Sequence, residues 1–167
     1  ESVLEELESV YHHYRFRGVA FVDDNFTLSP ARVIQICNGI LARGLDLNWW
    51  NFSKVHTIVR NPDMLKAMAA AGAKSVFLGI ESAGAEALTA LGKAGQADET
   101  AEAVSLLQSN GIEVYGSYVI GHLNERREDV ERTIDLATRL DTNVAQFSIL
   151  TPYPGAALYG QLKDRIF

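Results

Sequence analysis

The sequence predicts an α/β fold built on a parallel sheet, and three observations carry that expectation. Short apolar runs alternate with helical stripes along the whole chain. Five strand–helix units follow one another, each roughly the ~30 residues of a βαβ element. The 167 residues fall short of the ~250 of a complete eight-fold barrel, and a helix leads the chain. The expectation is therefore one domain over residues 1–167, a partial TIM-like barrel whose first strand is absent. A doubly wound sheet is the architectural alternative.

Taken in order, Ser2-x-x-Glu5 is a capping box, and Val3, Leu4, Leu7, Val10, Tyr11 and Tyr14 share one face of a helix over 2–14. Gly18 to Asp23 reads as a short buried strand. Ser29-Pro30 supplies an N-cap with proline at the first helical position, and Val33, Ile34, Cys37, Ile40 and Leu41 form the stripe that follows. An extended segment covers Leu47 to Val55. Asn61-Pro62 repeats the helix start, and Gly72 ends that helix after a run of alanines. Ser75 to Ile80 is the next strand, followed by helices near Glu86 to Leu91 and from Asp98 to just before Gly111. Ile112 to Ile120 and Val144 to Leu150 are strands, separated by a helix from about Glu125 to Leu140. A last short helix spans roughly Leu158 to Ile166.

Composition narrows the function. At 47% hydrophobic and 22% charged the chain is not disordered. No stretch approaches the ~18 apolar residues of a membrane span, and Glu1-Ser2-Val3 opens no signal sequence, so a cytoplasmic chain without a membrane partner is expected. A formal charge of −6 opposes the phosphate attraction on which nucleic-acid binding rests. The lone Cys37 excludes a disulfide framework and any all-cysteine metal or iron–sulfur site made from this chain alone.

Ligands of parallel α/β folds lie at the carboxyl ends of the strands. There the sequence places Asp23-Asp24-Asn25, Lys54 and His56, Glu81-Ser82, Gly121-His122, and Thr151-Pro-Tyr-Pro-Gly155. Each alone reads more readily as a helix cap or turn than as a ligand contact. Together they form a convergent polar set. Glu81, directly after the apolar run Val76 to Ile80, requires a partner if it is half buried. Gly116 and Gly121 bracket a strand, where glycine either lets a flat ligand approach or relieves crowding. Cys37 reads as core, the adjacent His12 and His13 as surface, and Trp49-Trp50 as packing or pocket wall.

These residues carry a resemblance: Phe21-Val-Asp-Asp-Asn-Phe-Thr27, Met68-x-x-Ala71-Gly72, Gly79-Ile-Glu-Ser82, Asn110-Gly-Ile112, Gly116-x-x-Val-Ile-Gly121, Glu128-Asp129 and Thr151-Pro-Tyr-Pro-Gly155. In that order and spacing the chain resembles radical S-adenosylmethionine (SAM) enzymes. It is most similar to the subgroup with a cobalamin-binding domain ahead of the radical SAM domain, typified by a porphyrin-ring oxidative cyclase, which makes tetrapyrrole ring formation the preferred expectation for the parent, with the subgroup's methyltransferases as the other. The resemblance implies a six-stranded partial barrel, a Cys-x-x-x-Cys-x-x-Cys loop holding a [4Fe–4S] cluster, and a chain that begins just after that loop. It implies a parent enzyme that cleaves SAM to a 5′-deoxyadenosyl radical, with a small-molecule substrate, an electron donor for the cluster and cobalamin on a separate domain as an open option. By itself this stretch is expected to be inactive.

The resemblance also implies roles. Asp23, Asp24 and Asn25 match the segment that receives the methionine amino group. Glu81 and Ser82 match the one at the sugar or amino-acid part. Val119, Ile120 and Gly121 match the segment against adenine, and Tyr153 lies in the segment beside adenine and substrate. Two departures touch those contacts: Gly121-His-Leu-Asn-Glu-Arg126 stands where relatives often read Gly-Leu-Pro-Gly-Glu-Thr, and Ala156-Ala157 replace Thr-Pro. From the residues alone, a divalent-metal hydrolase or isomerase using Asp23, Glu81 and His122 is the rival reading, and a non-catalytic interaction module is the third. Without a first strand, the Gly18 to Asp23 edge is expected to be exposed and prone to dimerise.

Overall fold

Five parallel strands stand side by side in chain order: β1 (Gly18–Phe21), β2 (Asn48–Lys54), β3 (Ala73–Glu81), β4 (Glu113–Ile120) and β5 (Val144–Ile149). The structure, a computed structural model, describes residues 2–93 and 95–165. The helices are α1 (Ser2–Glu8), α2 (Pro30–Ala42), α3 (Val55–Arg60), α4 (Pro62–Ala70), α5 (Ala85–Ala90), α6 (Gln96–Ser109), α7 (Arg127–Leu140) and α8 (Ala157–Leu162). Ile166, the expected end of the last helix, lies outside the described residues.

The strand order decides the architecture. A doubly wound sheet reverses direction at a switch point, whereas this order runs from β1 to β5 without reversal. Right-handed crossovers then place every helix on the same face, which is the winding of a partial barrel. Burial agrees. Trp49, Val76, Leu78, Ile80, Val114 and Tyr118 point to the helices and join Val33, Ile40, Ile58, Leu65, Met68 and Leu107 in one core. The alternate residues Trp50, Phe52 and Lys54 of β2, and Phe77 and Gly79 of β3, lie on the face no helix covers.

Local chemistry accounts for the boundaries. Ser29 caps α2 by accepting a hydrogen bond from the Arg32 amide at 3.4 Å, and Pro30 opens the helix. The buried stripe of α2 is Val33, Ile36, Cys37 and Ile40, while Leu41 is exposed, so the apolar face turns toward Ile36. Asn61 does not cap α4; its amide donates instead to the Thr57 carbonyl. The leading helix widens to a π-helix at Ser9–His13. Gly72 adopts φ +92°, and a Cβ there would lie 1.9 Å from the Leu47 carbonyl oxygen. Glycine is required at that corner.

The two edges differ. β1 pairs only with β2, so its outer side is open among the described residues, as expected from a missing first strand. β5 is the other edge, and Val144, Phe147 and Ile149 are exposed along it. No helix among the described residues is long and apolar enough to cross a membrane.

Candidate functional site

Because the strands are parallel, the segments after β1, β3, β4 and β5 all lie at one end of the sheet, which brings Asp24, Glu81, Gly121 and Tyr153 to the same side. The best-built part lies at the end of β3. The β3–β4 register shifts between Gly79 and Glu81, and Glu81 takes φ +72°, a left-handed conformation that is costly for a residue with a Cβ. This kink turns the Glu81 side chain back over Gly79. A Cβ on Gly79 would lie 2.7 Å from Glu81 Oε1 and 2.9 Å from Lys93 Nζ. The absence of a side chain at Gly79 is what leaves room for the pair.

Lys93 Nζ donates to Glu81 Oε1 at 2.6 Å and to the Gly79 carbonyl at 3.3 Å. The two side chains are only 17% and 18% exposed, so the pair is partly desolvated and either charge left alone would be costly. Gln96, buried at the start of α6, donates to the Gly79 and Ile80 carbonyls at 2.9 and 3.0 Å. It occupies the backbone acceptors that the kink releases. Sequence reasoning identified Glu81 and its need for a partner but missed Lys93 and Gln96.

The β4 corner is built similarly. Gly121 has φ +87°, and Glu125 Oε2 accepts from the amides of both Gly121 and His122. Glu125 Oε1 and His122 Nε2 are buried without a hydrogen-bond partner among the described residues. Glu125 was the legible signal here: it keeps its place in Gly121-His-Leu-Asn-Glu-Arg126 while the residues around it depart from the usual pattern. Val119 shares the uncovered face with Ser117, and alternation puts Ile120 on the other.

Other expected residues are placed as follows. Asp23 lies 3.6 Å from Arg32, with both side chains about half exposed, and Asp24 is exposed. Asn25 accepts from the Thr27 hydroxyl at 3.1 Å. Ser82 is buried, accepting from the Gly84 amide and touching Thr133, so its hydroxyl is committed to the turn after β3. Tyr153 is 70% exposed. Asp23, Glu81 and His122 do not assemble as metal ligands: among the described residues no three His, Cys, Asp or Glu side chains are grouped to hold an ion. Lys54 lies on the uncovered face, and His56 pairs with Glu99 at 3.1 Å on the helix side.

Several quoted motifs are packing devices. Trp49 Nε1 donates to the Ala71 carbonyl at 2.8 Å, which ties Met68-x-x-Ala71-Gly72 to β2. Phe21 stacks on Phe26 at 4.4 Å, and both meet Trp49 edge-on. Asp129 caps α7 at the Arg126 amide. A Cβ on Gly116 would press on the Tyr118 ring and Ile80 at 3.0–3.1 Å, so this glycine makes room for Tyr118 rather than for a ligand. Burial pushes the Cys37 thiol up to about 12, consistent with a core residue.

Comparison with known proteins adds the following. Residues 1–137 match the Radical SAM superfamily. An uncharacterised methyltransferase of Pyrococcus horikoshii is 40% identical over 159 residues, covering 95% of this chain and 34% of the relative. The anaerobic magnesium-protoporphyrin IX monomethyl ester cyclase of Cereibacter sphaeroides is 27% identical, with coverage of 99% and 28%. The chain thus spans about a third of the length of these relatives. Among solved structures, the radical SAM methyltransferase TsrM of Kitasatospora setae, with cobalamin and a [4Fe–4S] cluster bound, superposes with a TM-score of 0.79 at 23% identity, over 89% of this chain and 30% of that one.

Proposed function

The chain belongs to the radical SAM superfamily, and we propose that it forms the SAM-holding core of a radical SAM enzyme of the cobalamin-dependent kind. The observation that carries the reading is the Glu81–Lys93 pair held over Gly79. SAM ends in an amino-acid head bearing one ammonium and one carboxylate, and an adjacent carboxylate and ammonium offer a charge-assisted hydrogen bond to each. Asp23 and Asp24 add negative charge at the same end of the sheet, which suits a sulfonium. Val119 offers an apolar wall, Gly121 a corner with no side chain, and Tyr153 a flanking ring. Glu125 fixes the corner through two backbone amides.

When bound, SAM supplies the 5′-deoxyadenosyl group whose radical takes hydrogen from a substrate. Cys37 does not fit a cluster: it is a buried, neutral thiol on the stripe of α2. The residues of this chain bind, orient and exclude water. Trp50, Phe52 and Phe77 contribute to the last task beneath the polar layer. We read the reaction as methyl transfer, supported by the name of the relative at 40% identity, with oxidative ring closure of a tetrapyrrole as the second reading, supported by the name of the relative at 27%. A cytoplasmic setting and an electron-donor partner belong to the same proposal.

The test is Glu81→Gln in the full-length, cluster-loaded enzyme. The change keeps the shape and removes one charge, so a charge-assisted hydrogen bond worth about 1.5 to 3 kcal/mol is lost. SAM affinity is expected to fall roughly ten- to a hundred-fold, with iron content unchanged. Unchanged affinity removes Glu81 from the site.

A further inference from the structure

We propose that Lys54 anchors the anionic end of a second ligand, a substrate with a flat apolar body and a carboxylate, on the uncovered face of the sheet. The proposal rests on the reading of Glu81 and Lys93 as the seat of the SAM head. Lys54 closes β2, and alternation puts it on the same face as Trp50 and Phe52. The β2–β3 register sets Lys54 directly opposite Gly79, over which the Glu81–Lys93 pair lies. Side chains so placed on neighbouring strands are within reach of one another.

Charge complementarity then identifies the ligand. Glu81 and Lys93 neutralise each other and match a zwitterion. Lys54 makes no ion pair among the described residues, so opposite Gly79 and its self-neutralising Glu81–Lys93 pair stands one cation that no ion pair compensates. A sulfonium ligand gains nothing from that charge. An anion from a different molecule does. Below Lys54 the same face is aromatic: Trp50 meets Phe52 at 5.1 Å, Phe52 meets Phe77 at 5.1 Å, and Trp50 and Tyr115 are each 37% exposed. Phe52, Phe77 and Tyr115 are register partners across three strands and form one continuous band. Such a band accepts a planar apolar body by stacking or edge contact, and the lysine above it reads a carboxylate at the body's end.

The experiment uses 2-naphthoate and its neutral isostere 2-naphthamide as probes, titrated by equilibrium dialysis into the full-length, SAM-loaded enzyme. The wild type is expected to hold the acid about tenfold more tightly than the amide. Lys54→Met should bring the ratio to about one while leaving SAM affinity within about twofold, and Lys54→Arg should restore the preference. Lys54 is exposed and its side chain caps nothing, so these variants are expected to fold. An unchanged ratio in Lys54→Met, or equal affinities in the wild type, overturns the assignment of Lys54. Failure of both probes to bind overturns the substrate class. Failure of the wild type to bind SAM refutes the SAM reading instead, and the acid-to-amide ratio of the SAM-free protein still judges Lys54.

Discussion

Replacing Gly79 by alanine separates the site from the fold. The new methyl group would sit 2.7 Å from Glu81 Oε1 and 2.9 Å from Lys93 Nζ, both closer than a Cβ tolerates. These atoms are the far ends of flexible side chains, so the pair moves and the backbone stays. Exchanging glycine for alanine in a strand itself contributes about 0.5–1 kcal/mol toward stability, which offsets the weakened ion pair. Urea unfolding should therefore place Gly79→Ala within about 1 kcal/mol of the wild type. SAM affinity should drop roughly ten- to a hundred-fold, the cost of one displaced charge-assisted hydrogen bond of about 1.5 to 3 kcal/mol. Gly116→Ala is the converse control. Its methyl group presses on Tyr118 and Ile80 inside the core at 3.0–3.1 Å, so overpacking should cost about 1–3 kcal/mol of stability and leave SAM affinity alone. Full SAM affinity in Gly79→Ala, or an equal loss in a folded Gly116→Ala, refutes the assignment.

Trp49→Phe removes the indole donor to the buried Ala71 carbonyl and should destabilise by about 1–3 kcal/mol in urea unfolding, with little effect on SAM. Cys37, its thiol raised to about 12 by burial, should resist alkylation at pH 8 until the chain unfolds, so the labelling rate tracks opening. Because the folded pKa lies above the unfolded one, this thiol favours the folded state below about pH 9 and progressively less as pH rises toward 12. Cys37→Ala should accordingly show a shallower alkaline loss of stability. The open outer side of β1 should make the isolated 167-residue chain associate with increasing concentration in light scattering; a clean monomer at high concentration would show that the edge is covered.

What the sequence disclosed was chiefly local. Ser29-Pro30 and the glycine at 72 announce a helix start and a corner because the chemistry lies within a few residues of the event. Parallel winding was legible from alternation, but the choice between singly and doubly wound sheets depends on strand order, which no local pattern encodes. The site divides the same way. Glu81 was legible as a carboxylate stranded after an apolar run. Its partner Lys93 was not, because the contact closes across α5 and depends on a left-handed residue at a register shift. Gln96 was hidden for the same reason: an amide at a helix start looks like a surface residue until the carbonyls it serves are seen. Ile36 displaced Leu41 because α2 meets the sheet with a face turned by about 50° from the expected stripe, a rotation that the apolar pattern alone does not fix.

The unbroken order of the sheet also bears on how the molecule is made. Every strand pairs only with its neighbours in sequence, as Gly18 does with Asn48 and Tyr115 with Val144. No early strand waits for a partner synthesised much later. At about 5–20 residues per second, a ribosome takes seconds to emit each strand–helix unit, far longer than a helix needs to form. Each unit can therefore dock on the edge completed just before it, and the sheet grows in one direction, like a wall laid brick by brick. At every stage the newest strand presents a bare edge to the cell beside the open side of β1, so one site of possible mispairing travels along the nascent chain.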